Sequence, residues 1–184
     1  HYLSPSSSHD FRPPPLIPSP TPQTILDLGS GTGFLSLSLA PLLPSHTTLL
    51  LTDLDEVVPL LQRNVDALRA SHASSLPELR VRALPWGDEE ALRRLLREHR
   101  PDVVLASDLV YFPFLYPPLL RTLIGLTTPT QGGGGPKVLF SYKVRSLVRE
   151  EPFWSAFGAS CSRYAQVEAD DLVPQDVGST FKPS

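Results

Sequence analysis

Apolar residues along this chain come in two spacings. Short continuous runs, Thr24–Leu28, Thr48–Thr52, Arg80–Leu84, Asp102–Ala106 and Lys137–Tyr142, alternate with segments whose Leu, Val and Ala recur every three or four residues: Gly33–Leu43, Glu56–Ala70, Glu89–Glu98 and Phe114–Leu126. The first spacing predicts strands buried on both faces, and the second predicts amphipathic helices. Regular alternation of the two predicts a mostly parallel, twisted sheet covered by helices on both sides, an α/β fold of the Rossmann-like type. A further helix is expected around Glu150–Phe157 and a weaker strand at Tyr164–Glu168.

Residues 4–22, "SPSSSHDFRPPPLIPSPTP", carry neither period. Proline fixes φ and lacks an N–H, so this stretch is expected to be an extended surface loop. The segment "TTPTQGGGGPK" reads as a flexible connection. Neither holds a second core, and 184 residues with 41% hydrophobic content suffice for one. The chain is therefore expected to be a single domain over 1–184, with 1–23 as a leader loop and 24–184 as the Rossmann-like core.

Charge and cysteine content narrow the function classes. A net charge of −3 gives no electrostatic footprint for nucleic acid, and Arg93, Arg94 and Arg97 read as a solvated helix face. The lone Cys161 excludes a disulfide framework and any cysteine-based structural zinc site. No run approaches the roughly 20 apolar residues of a membrane span, and no secretory pattern opens the chain. The expected setting is cytoplasmic, without membrane or nucleic-acid partners, and the expected state is a monomer.

The densest chemistry lies in "TILDLGSGTGFLSLSLA". Gly29, Gly31 and Gly33 join a strand to a helix, where missing Cβ atoms permit positive φ and close approach of a ligand. A dinucleotide would set its pyrophosphate there, and Asp27 would repel it; S-adenosylmethionine is cationic on its methionine side and is favoured by the same acid. Asp53, ending the second strand, suits the two hydroxyls of a ribose. Asp55 is read as the cap of the helix starting at Glu56. In "LPWGD", Trp86 is placed to stack on adenine or to fill core, and Asp88 to reach the adenine edge or cap the next helix. Among Phe112, Phe114, Tyr116, Tyr142 and Trp154 most are expected in the core, with some shaping a groove. Lys143 and Arg145 are left between an acidic peptide and internal acids. His46, His72 and His99 lack metal-ligand spacing and are read as surface residues.

These motifs, "ILDLGSGTG", "TDLDEVVPLLQRNV", "LPWGD", "DVVLASDLVY" and "VLFSYKVR" followed by "FW", resemble those of the class I, seven-β-strand S-adenosylmethionine-dependent methyltransferases. Within them the likeness is greatest to the methyltransferase-like protein-lysine methyltransferases, which include enzymes acting on elongation factors and chaperones. The resemblance implies that Asp27, Gly29, Gly31 and Gly33 form the methionine-side loop, Asp53 binds ribose, Trp86 neighbours adenine and Ser107 meets the cofactor through its backbone. It sets the group's acid-x-x-aromatic motif on Asp108 to Tyr111. Asp108 would then orient the lysine amine, or else be a structural carboxylate, and Tyr111 would line the lysine channel and face the cationic product. No metal is needed for this displacement.

The family also carries an N-terminal helical segment that covers the cofactor and a closing antiparallel hairpin. Here "HYLSP" stands for the first, and "RYAQVEADDL" with the weak "VGSTFKPS" for the second, so both ends of the fold are expected to be incomplete. The function implied is protein-lysine N-methylation, with a translation elongation factor as substrate. Rival readings are a nicotinamide-type small-molecule N-methyltransferase with an enclosed pocket, a non-catalytic cofactor-binding module and, more distantly, a dinucleotide dehydrogenase.

Overall fold

The strands come first, because they set where every candidate residue emerges. A computed structural model of the chain describes residues 21–72, 76–129 and 135–160, all within a compact unit, Thr21–Tyr164. It contains β1 (Thr24–Leu28), β2 (Thr48–Asp53), β3 (Glu78–Ala83), β4 (Val103–Ser107) and β5 (Lys137–Ser141). All pairings are parallel, in the order β3-β2-β1-β4-β5. Each strand lies within two residues of its predicted position. Continuous apolar runs mark the interior strands: all of β1 but its first residue is buried, and β4 is buried up to Ser107. At the edge, β3 alternates instead, with Leu79 and Val81 buried and Glu78 and Arg82 exposed.

Helices α1 (Phe34–Leu39), α2 (Val58–Ser71), α3 (Glu89–Glu98), α4 (Tyr116–Thr127) and α5 (Leu147–Ser160) connect and follow the strands. Pro41 ends α1 early by removing an N–H, so the predicted helix to Leu43 finishes as a 3-10 turn over Ala40–Leu42. The helix α2 begins two residues later than predicted, after Val57, with no side-chain cap. Asp55 therefore does not cap it. Asp88 does cap α3, its Oδ1 accepting from the N–H groups of Glu90 (3.0 Å) and Ala91 (2.9 Å). The start of α5 is held by Glu150, buried and accepting from the amides of Arg145 and Ser146 at 2.9 Å each.

The principal core lies on one face of the sheet. Leu26, Leu28, Leu50, Val104 and Ala106 pack there against Leu92 and Leu95 of α3, Leu119, Leu123 and Leu126 of α4, and Phe153 and Phe157 of α5. On the opposite face Ser36 of α1 reaches back to Asp27. Burial on this scale, at about 25 cal/mol per Å² of apolar surface, anchors the strands whose ends carry the site. No described helix is long and apolar enough to cross a membrane.

Two expectations about side chains fail. His99 is tucked in rather than exposed, its Nε2 buried and 3.8 Å from Glu98. Of the five aromatics expected to be mostly core, only Tyr116 is buried, whereas Phe112, Phe114 and Tyr142 are exposed and Trp154 is half-buried. Helix-forming periodicity assigns faces within an element, but Phe112, Phe114 and Tyr142 lie in loops, in a short turn and just past a strand end, where it is silent. The expected leader loop up to residue 20, and the strand at Tyr164–Glu168 with the weak strand after it, lie outside the described residues.

Candidate functional site

A parallel sheet ordered 3-2-1-4-5 has its switch point between β1 and β4, because the chain leaves β1 toward β2 and returns on β1's other side. Asp27, Asp53, Trp86, Ser107, Asp108 and Tyr111 all fall at or just beyond the C-terminal ends of strands, and parallel pairing gathers those ends along one edge. Residues as far apart in sequence as Asp27 and Tyr111 are thereby brought to one side of the fold.

The turn after β1 has Gly29, Gly31 and Gly33 at φ of 67°, 57° and 81°. At Gly29 a Cβ would stand 2.9 Å from Leu109 and 3.1 Å from the Trp86 ring, so only glycine admits these neighbours. At Gly31 a Cβ would meet nothing within 4 Å. There the requirement is the backbone conformation, and the space beside the loop is open. The turn is pinned on all sides: Asn64 of α2 donates to the Thr32 carbonyl (2.8 Å), Ser30 N–H to Thr52 O (2.8 Å) and Gly33 N–H to Ser30 O (2.8 Å).

Two carboxylates frame this turn in different ways. Asp27 is buried at 2% exposure, and its Oδ2 accepts from Ser36 Oγ at 2.6 Å. Burial pushes its carboxyl up to about 6, against the opposing pull of the Ser36 and Ser30 hydroxyls. Asp53 is half-buried and lies across the loop, Oδ2 accepting from Gly31 N–H and Oδ1 from Leu54 N–H, both at 2.7 Å. Each carboxylate oxygen has a second acceptor site, so two hydroxyls can still be received.

These bonds bear on which cofactor the loop fits. The N–H groups of Ser30, Gly31 and Gly33 all donate within the protein, and a pyrophosphate would need them free. Two acids and an open loop edge instead suit a ribose joined to a cation. Trp86 is half-buried beside Gly29 and packed against the core, the second of its predicted settings. Asp88 caps α3 through Oδ1 alone.

Beyond β4 the backbone turns sharply. Asp108 sits at φ 60°, the one non-glycine residue at positive φ among those described. Its N–H donates to Ser141 O at 2.7 Å, and its Oδ2 accepts from Arg145 at 2.7 Å. Asp108 and Arg145 are 55% and 44% exposed. The Arg145 guanidinium, helped by Lys143, holds the Asp108 carboxyl below its ordinary range. Tyr111, 42% exposed, makes an edge contact with Phe112, which stacks on Phe114. Asp108, Tyr111 and these rings thus form an open rim.

Two contributors are not foreseen from the sequence: Ser36, signalled only by being polar inside an otherwise apolar helix, and Asn64, which has no local signal. Arg145, left between an acidic peptide and internal acids, pairs with Asp108, 37 residues away.

A family model described as lysine methyltransferase matches residues 1–157. Protein-lysine N-methyltransferase EFM6 of Saccharomyces cerevisiae is 32% identical over 130 residues, covering 66% of this chain and 50% of that protein. EEF1A lysine methyltransferase 3 of Xenopus tropicalis is 38% identical over 106 residues, 57% of this chain and 42% of that one. The chain thus spans about half the length of these relatives. Among solved structures, the N,N-8-amino-8-demethyl-D-riboflavin dimethyltransferase RosA of Streptomyces davawensis superposes with a TM-score of 0.50 at 11% identity, over 74% of this chain and 43% of that one, a likeness of fold.

Proposed function

The chain belongs to the lysine methyltransferase family, and from that premise we propose that it is an S-adenosylmethionine-dependent protein-lysine N-methyltransferase acting on EEF1A, the elongation factor named for one of its relatives. That substrate implies work in the cytoplasm. The observation that carries the reading is the open rim of Asp108, Tyr111, Phe112 and Phe114, which a side chain presented by a folded protein can reach. A nicotinamide-sized substrate would call for enclosure.

When bound, S-adenosylmethionine would supply a sulfonium-borne methyl group for transfer to the lysine nitrogen, with the thioether as leaving group. Asp53 would receive the ribose hydroxyls, and Asp27 would set a negative charge toward the cationic methionine side through the glycine turn. Trp86 would offer its ring beside adenine, and the Ser107 backbone would complete the cradle. Asp108 accepts a hydrogen bond from the lysine amine and so aims its lone pair; Tyr111 lines the approach and faces the charged product.

The test is transfer of radiolabelled methyl from S-adenosylmethionine to purified EEF1A, with nicotinamide as rival acceptor, by wild type and Asp108→Asn. Asparagine tolerates positive φ, so the turn survives while the charge is lost. The expected result is labelled lysine in EEF1A with a loss of about 100-fold or more in the variant. Label in nicotinamide alone, or an undiminished variant, refutes the assignment.

A further inference from the structure

An acid that aims a lysine creates a difficulty of its own. A lone carboxylate beside an amine favours the protonated form, and an ammonium has no lone pair with which to accept a methyl group. The Asp108 carboxylate is not alone: Arg145 donates to its Oδ2 at 2.7 Å. The Lys143 backbone amide also bonds this carboxylate, which still leaves acceptor positions open, and half of the pair's surface faces solvent.

The pairing is fixed from several sides. Asp108 is held at positive φ by its bond to Ser141 O, at the end of the β4–β5 register where Ser107 faces Ser141. Arg145 is held by its own N–H, which donates to the buried Glu150 carboxylate at 2.9 Å. Strained backbone of this kind persists where surrounding contacts over-determine it. The charged groups facing Asp108 are Arg145 and Lys143, both from the segment after β5, and Glu150 of α5 faces Arg145. The α5 anchor and the strained turn converge on one carboxylate.

We propose that Arg145 is a positioning residue that keeps Asp108 as half of a neutral ion pair, so that an incoming lysine finds a hydrogen-bond acceptor without net negative charge and presents its amine unprotonated. This rests on the lysine-methylation reading above. Arg145 acts through Asp108 and need not touch the substrate.

The experiment measures single-turnover methylation of EEF1A by the full chain from pH 6.5 to 11, for wild type, Arg145→Gln and Arg145→Lys, with S-adenosylmethionine affinity determined separately. Removing the guanidinium, the larger of the two cationic influences on Asp108, leaves the amine beside a more negative site, and an opposite charge at this range moves a pKa by about one unit or more. Arg145→Gln is therefore expected to move the rising limb of the profile alkaline by about one unit, a rate deficit of about tenfold below the lysine's ordinary value of about 10.4 that narrows as the pH passes it. Arg145→Lys keeps the charge and is expected to keep the wild-type limb. A deficit equal at every pH marks a merely structural arginine and overturns the proposal, as does an unchanged Arg145→Gln profile or an Arg145→Lys profile that matches Arg145→Gln. A wild-type chain that binds S-adenosylmethionine yet leaves EEF1A unlabelled removes the proposed activity itself, and this inference falls with it.

Discussion

Replacing Asp27 by Asn tests whether the fold keeps a destabilising charge for the sake of a ligand. The carboxyl is 2% exposed, and burial raises it from 3.8 to about 6. Because the folded value is the higher one, its stabilising contribution is complete below 3.8 and is lost as pH rises through about 6. A shift of about two units at about 1.4 kcal/mol per unit gives about 3 kcal/mol over the whole range. Between pH 4.5 and 7.5 the linkage integral leaves about 2 kcal/mol of it. Asn preserves shape and still accepts from Ser36 Oγ but does not titrate. Urea unfolding of both proteins at the two pH values should therefore show Asp27→Asn gaining about 2 kcal/mol on the wild type as pH rises, with other titrations cancelling in the difference. The proposed role predicts the opposite sign for binding, so S-adenosylmethionine affinity should fall in the variant that is more stable at neutral pH. A stability difference that is constant with pH would refute the claim that Asp27 is buried as a strained anion.

Two further acids near the sheet edge, Asp53 and Asp88, separate ligand binding from scaffolding. Asp53→Ala removes an acceptor for two loop amides as well as for the ribose, and is expected to weaken S-adenosylmethionine about 10- to 100-fold by calorimetry, at about 1.5–3 kcal/mol for bonds to a charged group; unchanged affinity would take Asp53 out of the site. Asp88→Ala, which deletes both cap bonds of α3, is expected to cost about 1 kcal/mol in urea unfolding with affinity intact, and a loss of affinity would return the adenine edge to Asp88.

How far the chain could be read depended on whether a residue's role was set by its neighbours in sequence. The strands of β1 and β4 were legible because burial on both faces leaves a continuous apolar run, and the turn at Gly29 because a strand, three alternating glycines and a helix adjoin. Exact ends were less so. Asp55 and Asp88 both precede a helix and are followed by Glu, yet only Asp88 caps; the start of α2 is displaced past Val57 by a turn bonded to Leu54 O, with a proline in the first helical turn.

Asp108 shows the same division within one residue. Its place after β4 followed from the apolar run that ends there, but the meaning of its carboxylate did not, because an acid at a strand end may equally bind loop amides. What resolves the local geometry is the parallel β4–β5 pairing, which brings the residue after Ser107 alongside the segment after Ser141 and so delivers Arg145 from 37 residues away. Charge pairing across a sheet edge has no period, and its partners become neighbours only once strand order is known. The same contact then changes the chemistry expected of the motif: an isolated acid would hold a lysine as its ammonium, whereas an acid already paired to a guanidinium can orient the amine without retaining its proton.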